Sequence, residues 1–189
     1  MRCKLQAKKL DFQRFDFRIK RGAKLMSNVG AKLKYFFVSL VVVVVDQMTK
    51  SIANANLDFG RSVKILPFFD IQLSYNSGAA FGFLSRAGGW QQILFSIVAI
   101  CAIILLVGWI AKQPKHKIRY TFALALLLGG AIGNLIDRMV YGHVVDFVLL
   151  HWQDHNFPNF NIADSAITIG VLLLMLDSFE VKGIVDDKP

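Results

Sequence analysis

Four long apolar stretches dominate the pattern of hydrophobic and polar positions in this chain. The first opens at Tyr35 with the uninterrupted run YFFVSLVVVVV and continues helically beyond Asp46. The others extend from Trp90 to Ala111, from about Ile118 to about Arg138 and from about Ala163 to Phe179. Each approaches the roughly 20 residues with which an α-helix crosses a bilayer. The pattern therefore predicts four transmembrane helices.

Residues 58–83, between the first two apolar stretches, follow a different pattern. The segment VKILPFFDIQLSYNSGAAFGF alternates in short runs around Pro67 and ends in a glycine-rich turn, which is typical of strands and turns. In that turn Gly78 permits close backbone approach, and Asn76 can hydrogen-bond either backbone or a ligand. The same motif would also suit an ordinary turn. We expect a membrane protein of the all-α class with a small extramembrane β-sheet.

Composition and charge indicate a membrane protein and argue against a protein that binds nucleic acid. With 54% apolar residues and a mean hydropathy of +0.47, the chain of 189 residues is too apolar for an ordinary soluble domain. Its net charge of +9 comes from basic residues at the N-terminus and beside apolar runs, not interleaved with stacking aromatics. Cys3 and Cys101 have neither metal-ligand nor CxxC spacing, so we interpret both as reduced and structural.

The distribution of lysine and arginine predicts the orientation. Eleven lie in the leader up to Lys34, four in the loop from Lys112 to Arg119 and two in the C-terminal tail, against five on the opposite side. The positive-inside rule then makes both termini cytoplasmic. We expect a cytoplasmic leader over residues 1–34, a four-span domain over 35–181 with its β-platform at 58–83 on the outer side, and a cytoplasmic tail over 182–189. The leader is either an interfacial amphipathic segment or reflects a start site at Met26.

This orientation brings the unusual polar residues to one membrane depth, on the outer side. Carboxylates at the margin of a lipid-embedded segment are costly unless paired or wetted, so they predict a functional site. The residues are Asp46, Asn76, Asn134, Asp137, Asp146, Asn161 and Asp164.

Some of these residues also have purely structural interpretations. Asp46 and Lys50 have the i,i+4 spacing of an ion pair that would anchor a helix end. Asp137 and Arg138, on the helix that also carries Asn134, could form an ion-pair network that seals its end. These alternatives stay open at the level of sequence.

The two remaining acids differ in how easily a structural role explains them. Asn161 and Asp164 have the spacing of an N-cap and the third residue of a helix. Asp146 lies in the apolar segment Val144 to Val148, where desolvation would raise its pKa unless it has a partner.

Two carboxylates that share a site cannot both ionise easily, so one holds a proton while the other activates water, as in aspartic proteases. The other protease chemistries lack their parts: the sequence has no HExxH motif, no nucleophile-elbow serine and no cysteine with a suitable histidine. His143, His151 and His155 do not have the spacing of a helical metal site. We expect no metal and no organic cofactor.

Five segments resemble the successive signature blocks of bacterial lipoprotein signal peptidase, also called signal peptidase II. The resemblance covers about Tyr35 to Phe179, and only the leader departs from it. The segments are DQMTK at 46–50, NSGAAFG at 76–82, GGAIGNLIDR at 129–138, VVDF at 144–147 and FNIADSAI at 160–167.

The resemblance implies an aspartyl endopeptidase of the bacterial inner membrane, with its active site at the periplasmic face. Such an enzyme cuts the signal peptide from a prolipoprotein before a diacylglyceryl cysteine, needs no cofactor and is inhibited by globomycin-type cyclic peptides. The catalytic pair falls on Asp146 and Asp164. Positions for support or substrate contact fall on Asp46, Lys50, Asn76, Gly78, Asn134, Asp137, Arg138 and Asn161.

Two other classes of function remain as alternatives. A small transporter or proton-coupled channel would also place carboxylates in the membrane, but its polar residues should continue through the cytoplasmic half of the spans. A non-enzymatic assembly protein would tolerate substitution of the aspartates.

Overall fold

Four long helices form the membrane-spanning part of the protein. The computed structural model describes residues 30, 32–78, 90–153 and 155–186, with side chains up to residue 179. The helices are α1 (Lys32–Asn56), α2 (Trp90–Lys112), α3 (Ile118–Tyr141) and α4 (Ile162–Asp186), whose span is Ile162–Phe179. All four are long and apolar enough to cross a membrane. The predicted helical spans are confirmed.

Two of the predicted segments fall largely outside the described residues. The chain divides into two units, Met1–Lys34 and Tyr35–Pro189, and nearly all of the first is not described. The predicted leader at 1–34 therefore stays a prediction. The same holds for the side chains of the predicted tail at 182–189 and for residues 79–83 of the predicted platform.

Helix α3 is the central helix of the bundle. Half of its span is buried inside the protein, against 6% for α2. Small residues make this possible: a Cβ at Gly129 would lie 2.8 Å from the Ser39 carbonyl oxygen on α1, and one at Gly133 would lie 2.6 Å from Asp46 Oδ2. The close approach brings the polar groups of α1 and α3 within hydrogen-bonding distance, as small residues do in membrane helix pairs.

A four-stranded antiparallel sheet stands at one end of the helices. Its strands are β1 (Ser62–Leu66), β2 (Phe69–Asn76), β3 (Val144–Trp152) and β4 (His155–Asn156), paired in that order. A buried cluster of Ala53, Leu73 and Val145 joins the sheet to the end of α1. The fold class expected from the sequence, four spanning helices with a small sheet, is confirmed.

The sheet differs from expectation in one respect: half of it comes from residues after α3. The prediction for residues 58–83 covers β1 and β2 only, and no strand was predicted for the apolar segment around Asp146, between the third and fourth apolar stretches. It forms β3, whose first three residues, Val144, Val145 and Asp146, are all buried. A strand buried on both faces shows no alternation, so its pattern does not distinguish it from part of a buried helix.

Helix α3 and β3 are joined by a tight turn. Gly142 has φ +73° and its N–H donates to the Arg138 carbonyl oxygen at 3.2 Å, which ends the helix. Pairing with β2 then sets the register, with Ser74 opposite Asp146 and Asn76 opposite Val144. This register places Asp146 at the junction of the sheet and the helices.

Candidate active site

Lys50 is the centre of a buried ion network between α1 and α3. Its Nζ lies 2.8 Å from Asp46 Oδ2, 2.8 Å from Asp137 Oδ2 and 3.1 Å from Asn134 Oδ1. An ammonium has three N–H donors, so these three acceptors satisfy it completely. Lys50 is 2% exposed and both carboxylates are fully buried, so each charge depends on its partners.

The network confirms one structural expectation and corrects another. The i,i+4 pair of Asp46 and Lys50 exists. The expected pairing of Asp137 with Arg138 is wrong, because the Asp137 carboxylate turns toward Lys50 of α1 while Arg138 Nη1 donates to the Asn134 carbonyl oxygen at 3.1 Å. Consecutive residues on a helix point about 100° apart, so Asp137 and Arg138 face different directions.

The two carboxylates of this network also hold the backbone beside the predicted catalytic acids. Asp46 Oδ1 accepts the N–H of Ala163 at 2.8 Å, and Asp137 Oδ2 accepts the N–H of Val145 at 3.0 Å. These two amides immediately precede Asp164 and Asp146 in the chain. The ion network therefore fixes the backbone from which both acids project.

Two asparagines bind the predicted catalytic acids directly. Asn161 Nδ2 donates to Asp146 Oδ1 at 2.7 Å, and Asn134 Nδ2 donates to Asp164 Oδ1 at 2.7 Å. Asn161 Nδ2 also donates to Asn134 Oδ1 at 3.2 Å, which joins the two amides. Each acid thus receives an uncharged donor, and the asparagines hold the acids in a common arrangement.

Asn161 has the capping role that its spacing predicts. Its Oδ1 accepts the N–H of Asp164 at 2.8 Å, as an N-cap residue does at the first turn of a helix. Because its amide nitrogen binds Asp146 at the same time, a single side chain joins the start of α4 to β3.

Asp146 is an acid in an unfavourable setting for its charge. It is 1% exposed on β3. Burial, followed by the nearby Asp164 carboxylate, raises the pKa of Asp146 to about 7, although hydrogen bonds from Asn76 and Asn161 and the charge of Lys50 act in the opposite direction. The direction expected from its apolar surroundings is confirmed. Near neutral pH this carboxyl exists in both protonation states.

Asp164 is the more accessible of the two acids. It is half-buried in the first turn of α4 and lines an open groove of about 480 Å³. The rest of the lining is mostly apolar and consists of Leu150, Phe157, Pro158, Phe160, Ser165, Thr168 and Ile169. A ligand in this groove would reach the pair of acids from the side of Asp164.

The remaining predicted residues border the same pair. Asn76 hydrogen-bonds Asp146, and its Oδ1 accepts the N–H of Gly78 at 2.9 Å. Arg138 interacts electrostatically with Asp164, Asp137 and Asp146. All ten residues predicted for the site therefore belong to one connected cluster or adjoin it.

Comparison with known proteins identifies the family. Residues 38–180 match the family model Peptidase_A8, described as signal peptidase (SPase) II. The chain belongs to the signal peptidase II family. It is therefore a membrane peptidase, rather than a transporter or a non-enzymatic assembly protein.

Related sequences are similar to this one along most of the chain. The lipoprotein signal peptidase of Acinetobacter baylyi is 50% identical over 142 residues, 75% of this chain and 79% of the relative. That of Pseudomonas putida is 48% identical over 153 residues, 80% of this chain and 90% of the relative.

Two solved structures described as bacterial membrane enzymes share the fold. One, at 2.3 Å resolution, has a TM-score of 0.73 and 35% identity, covering 82% of this chain and 93% of its own. The other, at 1.9 Å, has a TM-score of 0.68 and 37% identity, covering 76% and 91%.

Two residues that contact the predicted site were missed by sequence reasoning. Gln47 Nε2 donates to Asp137 Oδ1 at 2.8 Å and to Asp46 Oδ2 at 3.2 Å. Its position beside Asp46 in an otherwise apolar helix was an available signal. Phe95 of α2 contacts both Gly78 and Arg138. Nothing in the sequence distinguishes it from the other apolar residues of that helix.

The three histidines of the outer region lie in separate settings. His143 stacks on Tyr75 with ring centroids 4.3 Å apart. His151 Nε2 lies 3.3 Å from Asp70 Oδ1. Within the described residues, no three histidines, cysteines or acids are grouped so that they could hold a metal ion.

Proposed function

We propose that this peptidase removes the signal peptide from diacylglyceryl-modified prolipoproteins, cutting before the lipidated cysteine, with Asp146 and Asp164 activating water. The supporting observation is the contrast among the four buried or half-buried acids. Asp46 and Asp137 form ion pairs with Lys50, whereas Asp146 and Asp164 receive amide donors. Two carboxyls held in this way can share one proton.

In this mechanism Asp146, the more deeply buried of the two acids, holds the shared proton, and its pKa of about 7 keeps part of it protonated near neutral pH. Ionised Asp164 takes a proton from water, and the water oxygen bonds to the scissile carbonyl carbon. The proton of Asp146 then passes to the leaving amine as the carbon–nitrogen bond breaks. Asn134 stabilises the ionised form of Asp164 through its hydrogen bond.

The apolar groove is an argument for a lipid-bearing substrate. It extends from Asp164 along Thr168 and Ile169, both exposed on a membrane-spanning helix. An acyl chain lying along this surface would stay in the hydrocarbon while the peptide reaches the acids. Each buried methylene contributes about 0.8 kcal/mol of membrane affinity, so a diacyl anchor holds the cysteine firmly at one depth.

The proposal also covers the orientation of the protein in the membrane and its inhibition. The excess of lysine and arginine beside the cytoplasmic ends supports both termini in the cytoplasm, with the acids at the periplasmic face of the inner membrane. Inhibition by globomycin-type cyclic peptides is expected from the family resemblance.

The test compares lipidated and unlipidated forms of one prolipoprotein, incubated with purified protein in the same detergent. We expect release of the signal peptide from the lipidated form and cleavage at least about a hundredfold slower without the lipid, because positioning can contribute several kcal/mol to the barrier. Activity should persist in EDTA. Equal cleavage of both forms would contradict the role of the lipid, and absence of cleavage would contradict the proposed function.

A further inference from the structure

Phe95 of α2 contacts two predicted site residues at once. A Cβ built on Gly78 would lie 2.5 Å from Phe95 Cδ2, so the backbone of the turn rests directly on the ring. The Arg138 guanidinium carbon lies 5.7 Å from the ring centroid. Phe95 is half-buried, whereas its neighbours on the helix, Ile93 and Ile97, are 65% and 53% exposed. The ring is therefore directed at the site rather than at lipid.

The contact with Arg138 restricts a long, flexible cation. A guanidinium within about 6 Å of a ring centroid is attracted by the negative face of the ring. Together with the hydrogen bond from Nη1 to the Asn134 carbonyl oxygen at 3.1 Å, the ring fixes the side chain at two points. Held there, Arg138 acts electrostatically on Asp146 and Asp164.

The contact with Gly78 acts through Asn76. Gly78 has φ +99° and donates its N–H to Asn76 Oδ1 at 2.9 Å. With its oxygen held, the Asn76 side chain presents its other end to Asp146, to which it is hydrogen-bonded. A ring beneath the turn keeps this bonded arrangement from shifting.

We propose that Phe95 is a positioning residue, which holds Arg138 and the Asn76–Gly78 turn in place around Asp146 and Asp164. The inference rests on the proposed function, since it assigns Phe95 to that reaction. It differs from simple helix packing in what it predicts. A packing residue affects stability, whereas a positioning residue affects the rate of the folded enzyme and is replaced well only by another aromatic ring.

Two variants of Phe95 test this role with the lipidated prolipoprotein as substrate. Phe95→Leu keeps apolar bulk but removes the ring, and should lower kcat about tenfold, the scale of a cation–π contact plus a displaced turn. Phe95→Tyr keeps the ring and should stay within about threefold of the unchanged protein. Thermal unfolding in the same detergent sets a temperature at which every variant is folded.

Trp109→Leu is the matched control. Trp109 is the aromatic residue near the other end of the same helix, and its ring contacts Tyr120 of α3 with centroids 6.1 Å apart. Its loss should affect stability much as Phe95→Leu does and leave kcat unchanged. Should Phe95→Leu fail to fold, Phe95→Met offers a more adaptable side chain without a ring and carries the same expectation.

Each outcome has a defined meaning. Normal kcat in Phe95→Leu or Phe95→Met, or an equal loss of kcat in Trp109→Leu, would overturn the inference while leaving the proposed function intact. A loss of kcat in Phe95→Tyr as large as that in Phe95→Leu would also contradict the inference. If the unchanged protein releases no signal peptide, the proposed function fails, and with it the role of Phe95 in that reaction.

Discussion

Two pairs of aspartates lie at the same end of this peptidase, and they are held in opposite ways. Asp46 and Asp137 bind one ammonium, Lys50 Nζ, at 2.8 Å each. Asp146 and Asp164 instead accept amide hydrogens from Asn161 and Asn134 at 2.7 Å. The side chains are chemically identical, so their surroundings decide which pair is structural and which is available for reaction.

The difference follows from the groups that bind each pair of carboxylates. A buried carboxylate paired with a cation stays ionised and acts as a fixed anchor. A buried carboxylate with only neutral donors can gain or lose a proton near neutral pH, as the raised pKa of Asp146 indicates. The pair bound to Lys50 holds the backbone amides of Ala163 and Val145, so in the proposed mechanism it supports the other pair without taking part in proton transfer.

The largest expected effect comes from the pair that carries the proposed reaction. Asp146→Asn and Asp164→Asn should each lower cleavage about a thousandfold while the protein still accumulates in the membrane, because an amide keeps the size but cannot exchange the proton. Signal-peptide release by purified variants measures this. Asp177→Asn, on the same helix as Asp164 but paired with Lys117, is the control and should cleave nearly normally. Near-normal turnover by either catalytic variant would remove the assignment.

The structural pair should fail differently. Asp137→Asn replaces one of two buried acceptor oxygens by an amide nitrogen, which would then face a donor, Lys50 Nζ or Gln47 Nε2. This should lower the free energy of unfolding by about 3 kcal/mol, together with membrane yield and activity. Thermal unfolding in detergent checks this. Asp58→Asn, which breaks an exposed pair with Arg61, should leave stability unchanged. If Asp137→Asn keeps full stability yet is as inactive as Asp146→Asn, Asp137 belongs with the catalytic pair.

Gly78→Val tests the turn that borders the proposed catalytic pair. The residue has φ +99° and rests on the Phe95 ring, so a branched side chain would displace the turn that holds Asn76. We expect cleavage to fall about tenfold with the four spans still folded. Gly60→Val is the matched control, because Gly60 also has a positive φ but has nothing within 4 Å of an added Cβ. Equal losses in both variants would indicate backbone strain alone.

The smallest expected effect is a dependence of stability on pH, which arises from Asp146. The pKa of Asp146 is raised from 3.8 to about 7, so the folded protein binds this proton more tightly than the unfolded chain does. Stability is therefore lost as pH rises between these values and stays low above them. At pH 8 Asp146→Asn should raise the unfolding temperature by a few degrees, and the gain should vanish toward pH 4. A lower unfolding temperature at pH 8 would contradict this.

Much of the fold and part of the site could be predicted from local pattern. Four apolar stretches of spanning length give four helices, because helix formation in lipid depends on the segment itself. The Asp46 and Lys50 pair and the Asn161 cap follow from spacing within one turn of helix. Which acids belong to the site came from sequence motifs and the family resemblance.

Only the tertiary structure decided which of these residues contact one another. Nothing local shows that Lys50 binds Asp137 across two helices, that the segment around Asp146 pairs with β2 as a strand, or that Gly78 rests on Phe95. These contacts join residues far apart in the chain, and the first of them depends on the close approach of α1 and α3 at Gly129 and Gly133. The sequence by itself determined which chemical groups are present and on which elements. The packing of those elements determined which carboxylates are paired with a cation and which accept hydrogen bonds from amides.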